Sequence, residues 1–289
     1  TTHYERNNAP GNATVTLSGI GNYTGAKTAT WQLKPATLTY TVTASSKKYD
    51  GTDKADVDVK VKRNSIHFFI GPNGAGKTTL LDIICAKTKP TKGNVTYYPE
   101  KGEKIRLTGM KEYKIVNEGV VRKFQVPSVF VNLTVFENME LSLKGNKQVF
   151  QSIFHRTSKE EKELINEILK KVGLEDRKDV LAGSLAHGEK QWLEIAMQFV
   201  QKPEIIMLDE PAAGMGKPET FKTGELLKEI KKECTIIVVE HDMDFVKQIA
   251  DCVTVLHEGK VLMEGDIHDV LADKTVQSVY LGRGGERSA

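Results

Sequence analysis

The segment Gly71-Pro72-Asn73-Gly74-Ala75-Gly76-Lys77-Thr78-Thr79 leaves little freedom to the fold around it, because a glycine-rich turn closing in Gly-Lys-Thr works only between a strand and the first turn of a helix. Both flanks are present. Ser65 to Ile70 is a short apolar run of the kind that makes a buried parallel strand, and from Lys77 onward Thr79, Leu80, Leu81, Ile83 and Ile84 continue as a helix. Gly71, Gly74 and Gly76 permit backbone conformations that a side chain would block, so the amides of this stretch, those of Asn73 and Ala75 included, can converge on phosphate oxygens. Lys77 adds a point charge, and the positive end of the helix faces the same anion. The expected ligand is a nucleoside triphosphate, with Thr78 as a ligand of its magnesium ion.

Two more apolar strands end in chemistry. Ile205-Ile206-Met207-Leu208 runs into Asp209-Glu210-Pro211. Of these adjacent carboxylates, Asp209 is expected to hold Mg2+, generally through water, and Glu210 to polarise the attacking water as general base. Ile236-Ile237-Val238-Val239 leads to Glu240-His241-Asp242, which delivers His241 at the C-terminal end of a strand, where open α/β sheets bind ligands. Ahead of both lies Ser184-Leu185-Ala186-His187-Gly188-Glu189-Lys190-Gln191, opening a helix whose apolar residues are Trp192, Leu193, Ile195, Ala196 and Phe199. Earlier still stands Arg122-Lys123-Phe124-Gln125.

In this order the motifs resemble those of the ATP-binding cassette proteins, and the resemblance covers residues 56–289. It implies an α/β fold: a P-loop NTPase core with a mostly parallel sheet, an antiparallel β subdomain, and a helical subdomain inserted at about 112–190. Ser158 and Glu161 read as a capping box opening a helix of that insertion, Leu164, Ile165, Ile168, Leu169 and Val172 as its apolar stripe, and Gly173 as its stop. The resemblance also implies roles. Gln125 would be the glutamine that reaches toward magnesium alongside Thr78, and His241 the switch that senses the γ-phosphate. Tyr49 would stack on adenine. The helix tip of Ala186, His187, Gly188 and Glu189 would cap the γ-phosphate of ATP held by a second, identical or related ATPase subunit, so that ATP is sandwiched in a dimer. ATP hydrolysis would power solute import through membrane permease subunits at the cytoplasmic face of a bacterial membrane, with an extracytoplasmic solute-binding protein as an indirect partner.

More narrowly, Phe124 to Phe130, Leu133 to Met139 and His187 to Ile195 are similar to the branched-chain amino acid uptake branch. Within it, His187-Gly188-Glu189-Lys190-Gln191-Trp192, Leu81 to Cys85 and Val246 to Leu256 are most similar to urea importers, which makes urea the expected cargo and branched-chain amino acids the alternative. The surface expected to receive a permease helix lies near Gln125 to Glu137, with Val126, Pro127 and Phe130 exposed. Two positions depart from the family pattern. Ala186 replaces the signature serine, so a hydroxyl that would contact the γ-phosphate is missing and slower hydrolysis is expected, and Gly216 stands where a polar residue often communicates across the dimer.

The first 55 residues differ in kind. They are rich in Thr, Gly, Ala, Tyr and Lys, and alternating segments such as Ala13 to Leu17 and Leu38 to Val42 read as β-strands. Gly19 to Gly25 and Tyr49 to Thr52 resemble immunoglobulin-like repeats of secreted bacterial surface proteins, so a fusion is expected, either inert or a β-repeat binding module attached to an impaired cassette. The division is placed at 55/56. Just after it, Val57, Val59 and Val61 alternate with Asp58, Lys60 and Lys62, one apolar face and one charged face.

Composition excludes several alternatives. The 41 basic and 38 acidic residues leave a net charge of +3, too even to mark a nucleic-acid binder. Cys85, Cys234 and Cys252 show neither paired nor metal-ligand spacing, as fits a reducing compartment. No apolar run approaches the ~18 to 20 residues that cross a bilayer, and Thr1 to Pro10 lack the pattern of a secretion signal.

Overall fold

A computed structural model describes residues 2–4, 11–18, 26–33, 37–43, 57–123, 129–143 and 157–281. The chain divides into two compact units, residues 1–37 and 38–289. The smaller holds a three-stranded antiparallel sheet of β1 (Thr2–Tyr4), β2 (Gly11–Ser18) and β3 (Ala26–Leu33), with β2 in the middle.

The larger unit contains two sheets. The first has four strands in the order β5 (Val57–Lys62), β4 (Thr37–Thr43), β7 (Lys92–Tyr97) and β8 (Ile105–Arg106). β4 pairs antiparallel with β7, Tyr40 opposite Val95, so a strand from ahead of residue 55 is built into the sheet of the larger unit. On β5 the expected alternation holds, with Val59 and Val61 buried and Lys60 and Lys62 exposed.

The second sheet has six strands in the order β13 (Lys260–Gly265), β12 (Cys252–His257), β6 (Ile66–Ile70), β11 (Thr235–Val239), β10 (Ile205–Asp209) and β9 (Val120–Lys123). All neighbours are parallel except the β12–β13 hairpin. Strands buried on both faces read as continuous apolar runs, which is why β6, β10 and β11 carry so little polar residue. Their side chains alternate between two cores. Phe68, Val121, Ile206, Leu208, Ile236 and Val238 pack on one face with the helices α3 (Val135–Ser142), α4 (Lys159–Lys171), α5 (His187–Phe199), α6 (Lys217–Ile230) and α7 (Met243–Ile249). Phe69, Val120, Ile205, Met207 and Val239 pack on the other with α1 (Lys77–Ile84), α2 (Glu112–Asn117) and the four-stranded sheet. Two short helices, α8 (Ile267–Ala272) and α9 (Lys274–Leu281), close the described chain. Burial is worth about 1.5–3 kcal/mol for each such large apolar side chain.

Local rules set the helix ends as the sequence led one to expect. Ser158 and Glu161 form the reciprocal capping box of α4, Ile165, Ile168 and Leu169 are its buried stripe, and Gly173 follows at a φ of 70°. Thr134 and Glu137 make the same box for α3.

The register decides what meets at the sheet's C-terminal edge. Asp209 lies opposite Val239, and Val239 opposite Phe69, so Glu210 and Glu240 emerge level with Ile70, one residue before the phosphate loop begins at Gly71. That edge is where the charged motifs converge.

Candidate active site

The loop after β6 begins with a close approach. Gly71 has a φ of 151°, and a Cβ there would sit 2.1 Å from the Leu256 carbonyl oxygen, so no side chain fits. Gly76, at a φ of 100°, heads α1, and no side chain caps the helix. The first-turn amides of Lys77, Thr78 and Thr79 therefore face the concave side of the loop, the arrangement that receives a phosphate. Lys77 is buried, and its Nζ donates to the carbonyl oxygens of Gly71 at 2.7 Å and Pro72 at 3.1 Å. Burial lowers its pKa, with the charges of Glu210 and Asp209 acting in the opposite sense. Those two carboxylates thus lie within electrostatic reach of the lysine.

Asp209 is 2% exposed at the end of β10. Its Oδ2 accepts a hydrogen bond from Arg122 Nη2 at 3.0 Å, whereas its Oδ1 is buried with no partner. Burial raises the Asp209 pKa against the opposing influence of Arg122. A buried carboxylate oxygen without a partner, beside a helix tip that carries Thr78, is the donor set that suits a hard divalent cation, and Mg2+ fits these residues.

Glu210 follows with a φ of 48°, a left-handed conformation that is costly for a residue with a side chain, and its amide donates to the Val239 carbonyl at 2.9 Å. The turn aims its carboxylate toward His241, whose Nε2 lies 3.1 Å from Glu210 Oε1. Glu240, which the sequence reading left without a role, fastens the two segments together. Its Oε1 accepts from the Ala212 amide at 3.1 Å and its Oε2 from the His241 amide at 2.8 Å. Burial raises the Glu240 pKa, and these backbone donors oppose the rise. Asp242 then caps α7 through the amides of Asp244 and Phe245. An acid directly before a strand-end histidine was the available sequence signal.

The structure thus brings Gly71 to Thr79, Asp209, Glu210 and His241 to one edge. Ala186 to Glu189 form a separate feature at the start of α5. Glu189 returns its carboxylate to the Ala186 amide at 3.0 Å, while Ala186 itself offers no oxygen to cap the helix. His187 Nε2 bonds to the Ala213 carbonyl at 3.0 Å, and Gly188 packs so tightly against Glu219 that a Cβ would lie 2.6 Å from its carboxylate. Gly216 heads α6, its amide donating to Glu219 Oε2. Gln125 and Tyr49, and with them Val126 and Pro127, lie outside the described residues. Phe130 is 55% exposed, as expected.

A family model described as "ABC transporter" matches residues 55–213. The high-affinity branched-chain amino acid transport ATP-binding protein LivG of Salmonella typhimurium is 34% identical over 236 residues, 78% of this chain and 91% of LivG. Among solved structures, the ADP conformation of MJ1267, an ATP-binding cassette of an ABC transporter, superposes with a TM-score of 0.71 at 28% identity over 86% of this chain and all of that one. The ATP-binding cassette MJ0796, in a dimeric post-hydrolysis state bound to ADP and Pi, gives a TM-score of 0.62 at 26% identity over 80% of this chain and 99% of that one. On a loop, carboxylate pair and histidine that already meet at one sheet edge, these matches establish that the chain belongs to the ABC transporter family and is an ATPase.

Proposed function

We propose that this ATPase energises import of branched-chain amino acids, working as a dimer with membrane permease subunits at the cytoplasmic face of a bacterial membrane. The hydrolytic part of this reading is carried by one observation: the register that sets Lys77, Asp209, Glu210 and His241 around a single anion-receiving loop. LivG supports the cargo, through a likeness that spans nearly its whole length. Urea, suggested by the His187 to Trp192 form of the signature, is the second cargo. The relative described above is named for branched-chain amino acids, which moves that cargo to first place.

The chemistry is in-line attack of water on the γ-phosphate. Lys77 and the amides of Gly71 to Thr79 hold the phosphate oxygens, and Glu210 orients the water and accepts its proton. His241, held to Glu210 and by Glu240, stabilises the transferring group. Thr78, Asp209 and Gln125 would hold magnesium, which when bound neutralises charge on the phosphates. Tyr49 would stack on the adenine. The tip of Ala186 to Glu189 completes the site of the second subunit, and residues ahead of 56 take no part in hydrolysis except through Tyr49.

Co-expression with candidate permeases, reconstitution and solute-stimulated ATPase measurement test the proposal. Stimulation by leucine, isoleucine or valine with their binding protein is the expected result. Stimulation by urea alone would transfer the cargo to the second reading, and a response to neither would remove both.

A further inference from the structure

Arg122 and Lys123 are consecutive residues at the end of β9, so the strand's twofold period sends them to opposite faces of the sheet. The packing agrees. Val120, on the face of Arg122, belongs to the core that contains Leu80, Leu81 and Ile84 of α1, whereas Val121, on the face of Lys123, belongs to the core that contains Leu193, Ala196 and Met197 of α5.

Each cation ends in a buried ion pair. Arg122 spans two acids, donating through Nη1 to Asp82 Oδ1 on α1 and through Nη2 to Asp209 Oδ2. Burial acts against its charge, but the hydrogen bond to Asp82 and the surrounding acids raise its pKa overall. Lys123 Nζ lies 3.0 Å from Glu194 Oε2, with both side chains almost fully buried. Glu194 stands on the helix whose first turn is His187 to Lys190. The register also sets Lys123 beside Leu208, one residue before Asp209.

We infer that Arg122 and Lys123 are positioning residues for hydrolysis, forming a brace that holds the Asp209 carboxylate and the α5 helix at a set spacing across β9. One prong of the guanidinium holds Asp82 and the other engages Oδ2 of Asp209, which fixes that carboxylate and leaves its buried Oδ1 as the oxygen open to a metal ion. Lys123 ties the same strand end to the helix that carries Gly188. A shift of either acid is felt by the other through two adjacent residues of backbone. The inference rests on the ATPase and not on the cargo, and no readout below involves a transported solute.

The test uses the full chain as Arg122→Gln, Arg122→Lys, Lys123→Met and Lys123→Met/Glu194→Met, each compared with the parent by circular dichroism and thermal midpoint. Arg122→Gln is expected to lower kcat about tenfold or more and to raise the Mg2+ concentration for half-maximal turnover. A fluorescent ATP analogue in EDTA should bind within about twofold of the parent, because the loop and Lys77 are intact. Should Arg122→Gln not fold, Arg122→Lys, which keeps the charge and loses the fork, should show the same raised metal requirement. Lys123→Met should lower kcat without altering the Mg2+ dependence. The double variant should have a higher thermal midpoint than Lys123→Met, since the buried acid is removed together with its cation, while its turnover stays low. Folded Arg122 variants with the parent's metal dependence, or a double variant that regains turnover together with stability, overturn the inference. Asp209→Asn, measured alongside, separates the readings: an unchanged metal requirement there sinks the role given to Asp209 itself.

Discussion

Among the described helices that lack a side-chain cap, α1 and α5 both carry glycine-containing tips, yet the two are not equivalent. The tip of α1 is backed by the buried Lys77 and entered through glycines at positive φ, with no acid in its first turn. The tip of α5 carries Glu189 in its first turn, folded back onto the Ala186 amide and paired with Arg177 at 3.3 Å. Both offer backbone amides and the positive end of a helix dipole. Only the first has a buried lysine at its head; Lys190, in the first turn of α5, is half-buried and donates to the Gly183 carbonyl at 2.9 Å. The contrast teaches that the first tip is built to grip a triphosphate alone and the second to contribute where the anion is held elsewhere, which is the physical argument for the shared site proposed above.

The comparison breaks most visibly through Glu210. Glu210→Gln should cut turnover by about a hundredfold or more while ATP still binds, because the loss falls on the water and not on the grip. Equal turnover in a phosphate-release assay would remove the general base from the account. The strand that delivers the first tip supplies the next effect. His67, buried on β6 with Nε2 2.7 Å from Thr254 Oγ1, has its pKa lowered by burial from 6.5 to about 4. A histidine with a depressed folded pKa binds fewer protons folded than unfolded between those pH values, so stability is full above pH 6.5 and is lost as pH falls toward 4, by about 3 kcal/mol. Glu264, joined to the same Thr254 hydroxyl, does not reverse that sign. Denaturant unfolding at stepped pH should show the slope, and His67→Gln should flatten it. Lys77→Ala should then weaken binding of a fluorescent ATP analogue about tenfold or more, as a charged hydrogen bond contributes about 1.5–3 kcal/mol. The same assay on Glu189→Gln, at the second tip, should show no change in the isolated chain.

Much of this was legible in the residues, and what was not has a common cause. The phosphate loop, the strand ending in Asp209-Glu210 and the capping box of α4 depend on local rules, so sequence spacing alone revealed them. Arg122 and Lys123 look like the solvated end of a strand, and β9 is indeed the last strand of its sheet. They are buried because α1 and α5 cover the two faces, a fact of tertiary packing that no local pattern encodes. Glu240 looks equally like a surface acid and is instead 4% exposed, held by backbone donors from two different loops. The place of β4 was hidden for a related reason: its partner β7 lies far along the chain, beyond the phosphate loop.

The smallest expected effect concerns Ala186, and it sharpens the contrast between the tips more directly than the others. A serine there would restore an oxygen at the N-cap of α5, where Glu189 already serves the Ala186 amide. Completing the box is worth about 0.5–2 kcal/mol, so Ala186→Ser should raise the thermal midpoint by a few degrees. Because the hydroxyl would also stand at the tip proposed to complete the neighbouring subunit's site, kcat should rise by a factor of about two to ten with the ATP affinity of the isolated chain unchanged. The pairing of outcomes is what discriminates. Higher stability with unchanged kcat would make the residue a cap and nothing more, whereas a change in the isolated chain's affinity would mean that the two tips meet within one subunit, against the division of labour argued above.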